Sequence, residues 1–63
     1  MNELNSKMNE MMKTLIATAI DVEKFEQGNK SAGTRIRKAM QEIKNMAQEV
    51  RVEVQEIKNA VAA

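Results

Sequence analysis

From Arg35 to Ala62 the chain repeats itself every seven residues, as RIRKAMQ, EIKNMAQ, EVRVEVQ and EIKNAVA. Ile36, Met40, Ile43, Ala47, Val50, Val54, Ile57 and Val61 fall on alternating steps of four and three. Four consecutive heptads dictate a long helix with an apolar seam that can supercoil against a neighbour. Ala39, Met46 and Ala60 flank the seam and widen it to the three-in-seven face of a bundle helix. At a rise of about 1.5 Å per residue, a helix from Ser31 to Ala63 extends about 50 Å.

The first segment, about residues 2–27, has a looser version of the same pattern. Leu4, Met8, Met11, Leu15, Val22 and Phe25 keep the four-three steps, with polar Thr18 occupying one seam position. Met12, Ile16, Ala19 and Ile20 broaden the stripe. Such a face belongs to an amphipathic helix, either one with more than one neighbour or one core-facing helix with stray apolar positions.

Between the two patterns stand both glycines of the chain. Gly28 follows the last periodic residue, where a left-handed residue commonly closes a helix. Asn29 can accept from the first free amides of a new helix, and Ser31 is a rival start. So short a connection returns the second helix antiparallel to the first. The expected fold is therefore all-α: an antiparallel helical hairpin in one domain over 1–63, with helices at about 2–27 and 31–62 and an elbow at 28–30. Gly33 then lies in the first turn of the second helix, at a cost of about 1 kcal/mol relative to alanine. Either a partner approaches the backbone there, or the helices cross closely at the elbow.

Folding back sets Asp21 near Arg37 and Leu4 level with Val54, so that Ile57 and Val61 overhang the first helix. Bare seam residues need a cover. With 63 residues, one aromatic ring, no cysteine and no histidine, neither disulfides nor the usual zinc ligands can supplement a thin core. A homodimer forming a four-helix bundle, or a higher homo-oligomer, is expected.

Several classes of function fit poorly. The chain has no histidine, cysteine or tyrosine, its carboxylates stand singly on polar faces, and Gly28 and Gly33 lack the spacing of a phosphate-binding loop. No clustered acids or Glu-x-x-His signal marks a calcium or di-iron site. No catalytic residue, metal or cofactor is expected. The longest uncharged run, Thr14 to Ile20, is too short for a bilayer, and the first helix is net acidic where a membrane-surface helix is basic. Without a charged leader and apolar block at its start, the chain is expected to be cytoplasmic.

The net charge of +1 conceals an uneven distribution. Residues 1–23 sum to −2 and residues 39–63 to −1, whereas residues 24–38 sum to +4. Lys24, Lys30, Arg35, Arg37 and Lys38 crowd around a helix start, whose free amides and dipole also attract anions. Ser31 and Thr34 add hydroxyl donors. This set suits the phosphate backbone of duplex DNA, or of RNA, read without sequence preference. Stacking of single-stranded bases is not expected, because Phe25, the only ring, belongs to the apolar seam. Further along, Arg37, Lys44, Arg51 and Lys58 form one row and Glu42, Glu49 and Glu56 another, with no acid three or four residues from any cation of the first. A coiled-coil adaptor whose basic end docks an acidic protein, with no nucleic-acid role, fits the same charges.

The run from Glu23 to Ala39, EKFEQGNKSAGTRIRKA, resembles the core of the bacterial linker-histone-like proteins of chlamydial type. In that family a charged helix leads into Gly-Asn-Lys, a small-residue pair, an Arg-x-Arg step and a long charged helix. The likeness is closest over Gln27 to Ala39 and weaker out to about Lys58, and the first twenty residues add little. The resemblance implies a histone-like, nucleoid-associated DNA-binding protein with Lys30, Arg35, Arg37 and Lys38 as contacts. One departure is the ending Ala60-Val61-Ala62-Ala63, where the family carries a Lys/Ala/Pro-rich tail. Weak, sequence-tolerant binding made useful by assembly is the corresponding expectation.

Overall fold

A computed structural model of the chain describes residues 3–62; the expected start at Asn2 lies outside them. Helix α1 spans Glu3–Glu26 and helix α2 spans Lys30–Ala62. They lie antiparallel in a hairpin 53 × 16 × 11 Å in extent. Two ion pairs fix the register: Lys7 Nζ to Glu53 Oε1 at 3.2 Å near the open end, and Arg35 Nε to Asp21 Oδ1 at 3.0 Å near the elbow. Asp21 thus pairs with Arg35 and not with Arg37, because Arg35 falls on the side of α2 that turns toward α1.

The reversal is made by Gln27, Gly28 and Asn29. Gly28 takes φ +104°, a conformation that costs glycine little and other residues much. The Asn29 amide donates to the Lys24 carbonyl at 3.0 Å and the Gly28 amide to that of Phe25 at 2.9 Å, the paired bonds of a Schellman closure. Asn29 then opens α2. Its carbonyl accepts from the Ala32 amide at 3.2 Å, and its side-chain oxygen accepts from the Ser31 hydroxyl at 2.7 Å.

The contact between the helices is narrower than the heptads imply, and rotated from them. Leu4, Lys7, Met11, Thr14, Thr18 and Asp21 turn inward on α1, and Ala32, Ile36, Ala39, Ile43, Met46, Val50 and Glu53 on α2. Ala32 is fully buried, and Thr18 is 5% exposed. Small side chains at these points let the helices approach. The Thr18 hydroxyl donates to the Thr14 carbonyl at 2.6 Å, so its burial leaves no polar group unpaired.

Many of the expected seam residues consequently face sideways. Met8, Leu15 and Val22 each follow an inward α1 residue by one position, and Met40 and Val54 do so on α2; they remain 39–48% exposed. One residue advances a helix by about 100°, and antiparallel helices turn in opposite senses, so both rows reach the same flank of the hairpin. Arg37, Lys44, Arg51 and Lys58 border that flank on α2, while Glu42, Glu49 and Glu56 lie on the other. With Lys7 against Glu53, α1 begins about level with Ile57; α2 outruns it from there, and Val61 is 81% exposed.

Candidate nucleic-acid interface

The basic end of the hairpin is built by the first two turns of α2 and the last turn of α1. At about 100° per residue, Lys30, Thr34 and Arg37 share one outward face of α2, with Lys38 beside it. Ser31 and Arg35 lie on the opposite side of that helix, toward the flank that carries Lys24 of α1. All seven are exposed. The elbow gathers them within a few turns but does not aim them together. Arg35 is committed to Asp21 and Ser31 to Asn29, leaving Lys30, Arg37 and Lys38 as the more accessible group.

The two helices treat their dipoles differently. Helix α1 has Glu3 in its first turn and Lys24 in its last, each of the sign that stabilises its terminus. Helix α2 has no acidic residue in its first turn and begins on Lys30. Its positive end is left uncompensated by side chains and is reinforced by a cation, an arrangement suited to an external anion.

Phe25 keeps its place on the face of α1 turned toward α2, against Gly33, but at the elbow it stays 49% exposed. Its ring edge covers Gly33, where an added Cβ would stand 2.7 Å from Phe25 Cε1. The requirement for glycine at 33 is therefore met inside the hairpin, by an aromatic ring against the helix backbone. Beside the ring a cleft of about 400 Å³ opens, lined by Phe25, Lys30, Gly33, Thr34, Ile36 and Arg37. Its half exposure could not be read from spacing, because its position does continue the four-three pattern.

At the open end, Glu53 receives a hydrogen bond from Lys7 and raises its pKa above the ordinary 10.5, with further attraction from Glu49 and Glu3. Glu3, Glu49, Glu53 and Glu56 gather there around a shallow cleft, so the hairpin is acidic where it opens and basic where it turns. Among the described residues no helix is long and apolar enough to cross a membrane.

A helical hairpin with a basic turn and an acidic open end defines a small, charged, all-α protein. The family described as Histone H1-like protein Hc1 matches residues 2–60, and the chain belongs to that family. The match takes in α1 as well, although the first twenty residues by themselves gave little sign of it. The family is one of histone H1-like, DNA-binding chromosomal proteins, not of enzymes. No curated protein and no solved structure matches the chain.

Proposed function

We propose that the protein is a nucleoid-associated DNA-binding protein that holds the phosphate backbone of duplex DNA, without sequence preference, through its basic elbow. The observation that carries this reading is the N-terminal end of α2, which lacks an acid and presents Lys30, Arg37 and Lys38 outward. Lys24 and the hydroxyls of Ser31 and Thr34 supply further donors, and Arg35 contributes what its pairing with Asp21 leaves available. Phosphate contacts of this kind position a protein on DNA and carry no base information.

Titration of generic duplex DNA at low and moderate salt tests the reading. Retardation that weakens steeply with salt supports it. Replacing Lys30, Arg37 and Lys38 together by alanine is expected to abolish it with helicity intact. Absence of binding at both salt levels overturns it in favour of a coiled-coil adaptor.

We propose further that two hairpins pair through the flank that bears Met8, Leu15, Val22, Met40 and Val54. The chain exposes 5184 Å², whereas a compact protein of its mass exposes about 4,100 Å². The excess exceeds the roughly 800 Å² that each partner of an ordinary specific interface buries. The bordering row Arg37, Lys44, Arg51 and Lys58 stays at the rim, where charge is cheapest to keep. Pairing gives each assembly two elbows, so that individually weak phosphate contacts reinforce one another.

A further inference from the structure

The cleft beside Phe25 is poorly shaped for phosphate alone. Its lining joins an aromatic ring and the half-buried Ile36 to two exposed cations, Lys30 and Arg37. A phosphate oxygen gains from the cations but nothing from the ring or the isoleucine. A ligand that uses all four groups has a flat apolar face and an anion a short distance from it. An unpaired nucleotide has this form, whereas a base inside a duplex keeps its faces covered by its neighbours and must be extruded at a cost before it can be stacked elsewhere.

We propose that Phe25 stacks an unpaired base of single-stranded DNA, with the flanking phosphates held by Lys30 and Arg37. The inference rests on the reading of the elbow as a nucleic-acid site and adds a strand preference to it. Gly33 has a part in this arrangement, since only the missing side chain lets the ring edge lie against α2 beside the cleft. Base-aromatic stacking tolerates any sequence because every base has a π face, which agrees with an elbow that has no other means of reading bases.

The chain contains no tryptophan or tyrosine, so Phe25→Trp places a single fluorophore at the site. Its emission is followed against oligothymidylate, a fully paired duplex and inorganic polyphosphate at one salt concentration. Quenching by oligothymidylate, with little change for the other two, is expected. Phe25→Leu, which keeps an apolar side chain and removes the ring, is expected to weaken oligothymidylate binding roughly tenfold and leave duplex binding unchanged. Equal quenching by polyphosphate, or unchanged oligothymidylate binding by Phe25→Leu, overturns the proposal. An emission shift that depends on protein concentration alone also overturns it, since a second copy then covers the cleft. Should the parent bind duplex and the tryptophan variant show no oligothymidylate quenching, stacking fails while the phosphate reading of the elbow stands. Binding to neither nucleic acid removes both.

Discussion

The ring of Phe25 occupies the space that a side chain at position 33 would need, with Cε1 only 2.7 Å from where a Cβ of residue 33 would stand. Two opposing effects then meet in Gly33→Ala. Alanine gains about 1 kcal/mol of helix propensity. The displaced ring gives up its remaining burial, about half of the 1.5–3 kcal/mol that a fully buried phenylalanine contributes. The two nearly cancel, so thermal unfolding of Gly33→Ala is expected within about 1 kcal/mol of the parent by these same terms. Gly28→Ala has no such compensation at φ +104°, and a loss of about 1–2 kcal/mol is expected. Parallel melting curves check both.

Ala32 is fully buried between the helices. Ala32→Leu forces a branched side chain between the helices and is expected to cost about 1–3 kcal/mol. Met40→Leu on the exposed flank, a nearly volume-conserving change, is expected to leave the melting temperature of a hairpin monomer almost unmoved. Circular dichroism at low protein concentration separates the two.

Pairing through the apolar flank makes a statement about mass. The parent is expected to sediment at twice 7.1 kDa at micromolar concentration. Leu15→Glu combined with Val54→Glu is expected to yield helical monomers. A parent that remains at 7.1 kDa contradicts the pairing.

The elbow's share of DNA affinity is read in salt. With about four phosphates neutralised per elbow, log affinity against log salt is expected to fall with a slope of about −4. Lys30→Ala or Arg37→Ala each reduces that slope by about one. Arg35→Ala is expected to change it less, since Asp21 already neutralises this guanidinium in part.

The Lys7–Glu53 pair gives an alkaline signature. The Lys7 pKa is raised on folding, so the stabilisation is fully present below the unfolded value of about 10.4 and disappears as pH rises through the folded value. Lys7→Gln is expected to melt with a weaker dependence on pH above 10.5 than the parent. Melting across pH 9 to about 12 measures it.

Heptads and one well-placed glycine were enough to read two antiparallel helices, because periodicity reports which residues share a face. They do not report which part of a broad face the neighbouring helix takes. Lys7, Asp21 and Glu53 turn inward, against every hydropathy pattern, since long or paired polar side chains tolerate the edge of a narrow contact and small residues beside them bring the backbones close. Leu15 and Val54 are displaced outward in consequence. Asp21 found Arg35 rather than Arg37 for the same reason, a rotation that spacing cannot reveal. At the basic end the crowding of cations was legible as a run of letters, whereas the exposed ring of Phe25 was not. Its position satisfies the seam, and spacing does not report that a seam residue beside the turn stays half exposed.

The elbow's closure is held by its own peptide groups: Asn29 to Lys24, Gly28 to Phe25 and Ala32 to Asn29. A connection so short and so internally bonded has little freedom left to surrender. On the proposed reading, a polyanion meets a turn already closed rather than a loop that must first be ordered, and the entropy that flexible basic segments forfeit on capture is largely spared. Modest charge, held stiffly, can then do what a longer and floppier cationic segment achieves by sheer number.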